Sequence, residues 1–179
     1  MLKSQRLMLL PMERHMASKV REWLLDEDVA QWAVFGDPRP LTVEEIEEQI
    51  VAARADPRIR MFAIVPLDSI SPIGEAILQG IDWKNRSAQY GLIIGDRQMR
   101  GRGIGQEVSR IIIEYAFSDL GLHRIEALVL SGNVAAIHCL EKVGFTREGV
   151  KKEAVWKNGQ WYDVMLLGIT APSSLLTAK

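Results

Sequence analysis

The residues best suited to chemistry by type and spacing are Arg100-Gly101-Arg102-Gly103-Ile104-Gly105. They follow an apolar run, Tyr90 to Ile94, and open a helical pattern with apolar residues at Ile104, Val108, Ile111, Ile112, Tyr115 and Ala116. Glycines at alternate positions let the backbone approach a ligand without Cβ interference. The amides of a helix's first turn lack internal partners and point outward, which suits them to phosphate. Arg100 and Arg102 add positive charge beside that point. The segment reads as a pyrophosphate cradle between a strand and a helix.

Several cradles use glycine in this way. A dinucleotide-binding fingerprint needs Gly-x-Gly-x-x-Gly. Here Gly105 comes one residue early and Gln106 stands in its place, although Glu126 lies at a distance suited to a ribose-binding acid. No further run of βαβ units follows. A P-loop needs Lys-Ser or Lys-Thr after its last glycine, and there is none. The remaining pattern, Arg/Gln-x-x-Gly-x-Gly/Ala, is filled by Arg100, Gly103 and Gly105. Downstream stands Asn133-Val134-Ala135-Ala136-Ile137-His138-Cys139-Leu140-Glu141-Lys142-Val143-Gly144-Phe145. Ala136, Ile137, Leu140 and Val143 make one helical face, and Gly144 suits a left-handed C-cap. Together the two motifs resemble the GNAT N-acetyltransferase superfamily. The resemblance runs over roughly residues 4 to 170 and is nearest the branch of ribosomal-protein N-terminal and spermidine acetyltransferases.

That resemblance implies an α/β (α+β) fold: a mixed central sheet of about seven strands, flanked by helices and splayed between the fourth and fifth strands. It implies acetyl-CoA as co-substrate and no metal. The pyrophosphate would lie on the backbone of Arg100, Gly101, Arg102, Gly103, Ile104 and Gly105. The pantetheine arm would pair with the backbone of Ile93, Ile94 and Gly95, one amide facing the thioester oxygen. Asn133 would bond the arm or hold the splay open; its other reading is a helix N-cap. The implied activity is acetyl transfer to a primary amine, a peptide N-terminus or a small amine, by direct attack. The alternative is a non-catalytic acyl-CoA-binding sensor or partner module.

The amine must be neutral to attack. A lysine-like amine with a pKa of about 10.4 is neutral in roughly one molecule in 2,500 at pH 7, a penalty of about 4.6 kcal/mol. Some family members carry a Glu on the strand before the glycine loop, where this chain has Gln89, which accepts no proton. Glu75, Asp82, Glu126 and His138 are the remaining candidates for the base. Many members place a Tyr as general acid where this chain has Leu140. A thiol of pKa about 8.5 leaves as thiolate at pH 7 for about 2 kcal/mol, so that acid is dispensable. Losing both usual groups favours α-amines, whose pKa of about 7.7 to 8.0 makes deprotonation cheap. Trp32 and Phe35, in the irregular segment after the first helix, are the best candidates to line an acceptor pocket; Trp83, Trp156 and Trp161 fit packing better. Glu44, Glu45, Glu47 and Glu48 read as a solvated helix face.

The elements that must position these groups follow from pattern. Leu7 and Leu9 belong to a first strand ending near Pro11. Met16, Val20, Trp23 and Leu24 give a helical stripe, and the segment Asp26 to Pro40 is irregular. Thr42 and Glu45 make a capping box, with Leu41 and Ile46 as staple, for a helix stopped by Asp56-Pro57. Strands are expected over Arg60–Val65, Ile73–Ile81, Gln89–Ile94 and His123–Leu130. Phe145–Trp156 and Trp161–Ile169 form a hairpin about Asn158-Gly159, a type I′ signal.

The whole is expected as one domain over residues 1–179, with a loose tail from 171. At 179 residues and 47% hydrophobic content the chain has room for one substantial core. A net charge of −1 gives no electrostatic case for nucleic-acid binding. Cys139 is the single cysteine, which excludes an internal disulfide and fits a reducing compartment. Leu7 to Leu10 is too short for a signal segment or membrane span. The expectation is a cytoplasmic transferase, monomeric or homodimeric.

Overall fold

The computed structural model describes residues 2–32 and 39–172. Strand β1 (Leu7–Pro11) leads through a 3-10 turn into α1 (Ala17–Leu25), a short helix α2 (Glu27–Ala30) and α3 (Val43–Ala55). Strands β2 (Arg60–Pro66), β3 (Gly74–Asp82) and β4 (Ser87–Ile94) come next, then α4 (Ile104–Glu114), β5 (Arg124–Leu130), α5 (Val134–Lys142), β6 (Thr146–Lys157) and β7 (Gln160–Thr170). They build a seven-stranded sheet in the order β1-β2-β3-β4-β5-β7-β6. Phe35 and most of the expected tail lie outside the described residues.

Local chemistry explains most boundaries. Thr42 Oγ1 accepts from the Glu45 amide and Glu45 Oε2 from the Thr42 amide, so the capping box starts α3 as expected. Asn158 and Gly159 have φ of 49° and 78°, the positive pair that a type I′ hairpin needs. Gly144, after α5, has φ of 107°, where a side chain would be strained. One element differs from expectation. The segment after Asp26 begins with helix α2, because Asp26 Oδ1 accepts from the Asp28 amide at 3.0 Å and caps it.

The helices cover the two faces differently. Ile104, Val108 and Ile112 of α4 and Ile137 and Leu140 of α5 pack with Ala88, Tyr90, Ile125 and Ala127 on one face. Val20 and Trp23 of α1 and Ile46 and Ile50 of α3 pack with Ala63 and Val65 on the other. Among the described residues no helix is long and apolar enough to cross a membrane.

The sheet has a seam. Strands β4 and β5 run parallel and pair only at Ser87↔Arg124, Ala88↔Ile125 and Gln89↔Glu126. β4 continues to Ile94, still paired with β3, and β5 continues to Leu130, still paired with β7. From Tyr90 and Ala127 onward the two strands part. This is the splay between the fourth and fifth strands, and among the described residues it leaves two facing edges without strand partners.

Candidate active site

The glycine loop sits at the open end of that seam. Gly101 and Gly103 have φ of 72° and 77°. A Cβ at Gly101 would meet nothing within 4 Å, and one at Gly103 only Arg6 Nη2 at 3.9 Å. Backbone conformation, not crowding, therefore requires these glycines. Gly103 is the N-cap of α4 and no side chain caps it, so the first-turn amides are not satisfied from that residue. Gly105 serves packing: a Cβ there would lie 3.1 Å from Cys139 Sγ, so its absence lets α5 approach α4. Ser109 Oγ donates to the Gly105 carbonyl at 2.7 Å. Its single proton is thereby used, so the buried Tyr90 hydroxyl, 3.1 Å away, donates to Ser109. The relay fastens the first turn of α4 to β4.

The two loop arginines have different roles. Arg102 is exposed and borders a hollow of about 410 Å³ with Gln5, Met99 and Ile104. Arg100, expected to add charge for phosphate, turns inward instead. Its Nη2 donates to Asp26 Oδ2 at 2.6 Å and to the Gly95 carbonyl at 2.7 Å, and its Nε to the Ile94 carbonyl at 2.9 Å. The Arg100 hydrogen bond in turn holds the Asp26 carboxyl below its ordinary value. Arg100 can offer a ligand its backbone but not its charge. The carbonyls of Ile94 and Gly95 likewise face Arg100. Gly95 is also the seat of the Trp23 indole, since a Cβ there would fall 2.0 Å from its Cγ.

The four candidate bases are far from equivalent. Asp82 closes the β3–β4 turn, accepting from the Asn85 amide at 2.9 Å and side chain at 2.6 Å, which keeps its carboxyl below the usual value. Glu126 pairs with Arg124 at 3.4 Å, in a group that also holds Glu148. His138 is exposed on α5. Glu75 alone is sequestered: its Oε2 is buried and has no hydrogen-bond partner among the described residues. Burial pushes its carboxyl up to about 7. Among the described residues no cluster of His, Cys, Asp and Glu could hold a metal.

These residues fit coenzyme A: uncapped helix amides beside two positive-φ glycines, and next to them a seam whose bare edges suit an extended arm. Comparison with known proteins decides the family. The acetyltransferase (GNAT) domain profile matches residues 6–146. The chain belongs to the GNAT acetyltransferase family.

Relatives agree. A probable N-acetyltransferase, YjcK of Bacillus subtilis, is 43% identical over 77 residues, which cover 43% of this chain and 42% of that protein. A putative ribosomal N-acetyltransferase, YdaF of the same organism, is 32% identical over 92 residues, 51% of this chain and 50% of that one. The chain thus spans about half the length of these curated relatives. The crystal structure of spermidine N-acetyltransferase from Vibrio cholerae, in complex with CoA and spermine, superposes with a TM-score of 0.87 at 26% identity. It covers 97% of this chain and 100% of that one.

Asn133 Oδ1 accepts from the Ala136 amide at 3.1 Å, so the side chain caps α5, the second of its two expected readings. Leu140 is 6% exposed and belongs to the core. Burial pushes the Cys139 thiol up, which disfavours a nucleophilic thiolate. Trp32 lies against the end of β5, its Cζ3 3.4 Å from where a Cβ of Gly132 would be. Trp156 and Trp161 pack on each other, exposed, at the hairpin tip, and Arg60 lies over Trp83. Of α3's acids, Glu45 is taken by Arg39 and Glu47 by Arg14. Trp23 carries a signal its helical stripe concealed: its Nε1 is buried without a hydrogen-bond partner among the described residues.

Proposed function

We propose that the chain is an acetyl-CoA-dependent N-acetyltransferase that passes the acetyl group to a primary amine by direct attack. The observation that carries this reading is the junction of the β4–β5 seam with the uncapped start of α4. The amides of Gly101 to Gly105 hold the pyrophosphate, and the edge of β4 from Ile93 to Gly95 aligns the arm and donates to the thioester oxygen. When bound, the co-substrate supplies an activated acetyl group. The protein orients it and admits the amine from the opposite side. With Leu140 buried, the thiol leaves as its own thiolate without a side-chain acid. The acceptor is a primary amine, a peptide N-terminus or a small amine; relatives are named for spermidine and for aminoglycosides, and one as a putative ribosomal N-acetyltransferase.

Thiol release from acetyl-CoA with a panel of peptides, polyamines, aminoglycosides and amino sugars tests this. Turnover of at least one amine, with the acetylated product seen by mass spectrometry, is the expected result. Tight CoA binding with no turnover across the panel would instead make the protein an acyl-CoA sensor.

A further inference from the structure

Glu75 is a partly buried acid, with one carboxyl oxygen shut away from solvent and no evident structural duty. It pairs in register with Ala63 of β2 and Ile93 of β4, so its side chain is on the face covered by α1 and α3. Directly paired residues have Cβ atoms about 5 Å apart. Glu75 is therefore one strand from the edge of β4 that borders the seam, at the level of Ile93. Two residues beyond Ile93, just past the end of β4, Gly95 carries the Trp23 ring. Two polar atoms without hydrogen-bond partners among the described residues, Glu75 Oε2 and Trp23 Nε1, thus flank the same stretch of β4 in an otherwise apolar layer. Buried polar groups are almost always hydrogen-bonded, and exceptions mark places where something else binds or reacts.

Resting on the N-acetyltransferase reading, we propose that Glu75 is the proton acceptor for the amine substrate, which enters the seam from the α1 side. The acceptor's ammonium passes one proton to the Glu75 carboxylate, within reach of one bridging water. The freed nitrogen lone pair bonds to the acetyl carbon. The carbon–sulfur bond breaks with its electrons going to sulfur, the second amine proton goes to that thiolate, and Glu75 returns its proton to solvent. Gln89 cannot do this, Asp82 and Glu126 are held by other partners, and His138 is on the outside of α5.

The surroundings suit the role. A carboxyl that burial raises to about 7 stands close to neutral pH, where a general base works best. Charged groups on the packed elements are engaged elsewhere or face solvent. On α1, Lys19 pairs with Glu22 and Arg21 donates to the Leu41 carbonyl. On α3, Glu45 and Glu47 hold arginines, Glu44 bonds Thr42, and Glu48 and Arg54 are exposed. Arg60 of β2 lies over Trp83, and Arg100 beyond β4 is tied to Asp26. Burial is the single cause acting on Glu75.

The test compares wild type, Glu75→Gln and Glu75→Leu on the best acceptor of the panel from pH 5.5 to 9.5 (test points spanning roughly the carboxyl and amine ranges). For wild type, kcat/KM should rise through a limb near the pH at which Glu75 titrates. Both variants should lose about 10²- to 10⁴-fold at pH 7, and their limb should move to the acceptor's own pKa. Acetyl-CoA affinity by calorimetry should stay within about twofold, which separates a lost base from a damaged binding site. Should either folded variant keep kcat/KM within about threefold and the wild-type limb, Glu75 is not the base. A wild-type protein silent on every amine would instead defeat the N-acetyltransferase reading itself.

Discussion

Arg100 Nη2 and Asp26 Oδ2 lie 2.6 Å apart, and the same guanidinium donates to the carbonyls of Ile94 and Gly95. One side chain thereby joins the α1–α2 junction to the end of β4 and the start of the glycine loop. The pair is half-buried, so solvent screens it only in part. Arg100→Gln would leave those acceptors underbonded. It should lower Tm by roughly 3–6 °C and weaken acetyl-CoA binding several-fold. Scanning fluorimetry and calorimetry read the two effects; a variant with wild-type Tm would show that the joint contributes nothing to stability.

Gly103 tests the cradle. At φ of 77° it adopts a conformation that a β-branched residue strongly resists, yet a side chain there has room. Gly103→Val should shift the first turn of α4 and reduce acetyl-CoA affinity at least about tenfold, or about 1.4 kcal/mol, while the fold survives. A folded variant with unchanged affinity would remove the pyrophosphate from this loop.

Leu140 tests the leaving group. Leu140→Tyr adds bulk to a packed core and should cost about 1–3 kcal/mol of stability, yet leave kcat within about tenfold of wild type or raise it. His138→Ala and Cys139→Ala should each stay within about threefold. Abolished turnover in either folded alanine variant would mean that thiolate departure does need a side chain.

Glu75 also predicts a pH dependence of stability, independent of any assay of activity. Its carboxyl is raised from 4.5 to about 7 in the folded state. Its favourable contribution is complete below the unfolded value and declines as pH rises, by up to about 1.4 kcal/mol per unit between those limits. Above about 7 the folded protein carries the full penalty of a buried charge. Glu75→Gln should therefore melt close to wild type at pH 5 and above it at pH 8. Parallel Tm curves for the two proteins over that range would contradict the burial.

What was legible in the sequence was local or motif-bound. Thr42 and Glu45 lie three residues apart, Asn158 and Gly159 are adjacent, and each pair acts through its own backbone. The apolar pattern of residues 73–81 and 89–94 marked both segments as strands. That pattern could not say that one carboxyl oxygen of Glu75 would be buried on the face covered by α1 and α3, because this depends on helices distant in sequence. Four carboxylate or imidazole candidates therefore looked alike until their partners were seen. Arg100 misled for the same reason: beside glycines an arginine suggests phosphate, and only the folded chain brings Asp26 to it. Helix α2 escaped because four residues, Glu27 to Ala30, are too few to show a period.

The seam has a consequence for how the molecule assembles and breathes. Strands β1 to β4 form a meander of neighbouring antiparallel pairs, whereas β5, β7 and β6 form a separate antiparallel group. Among the described residues three in-register pairs join the two ladders. The N-terminal meander can zip up strand by strand, while the β4–β5 pairing must wait for α4 to complete its crossover. In the finished protein the seam is a gap in the hydrogen-bond ladder, along which amides of Tyr90 to Ile94 and Ala127 to Leu130 should differ in hydrogen exchange from those of the paired edges. A molecule bridging the two ladders would act as a staple, joining across the seam two half-sheets that there share a core but no ladder.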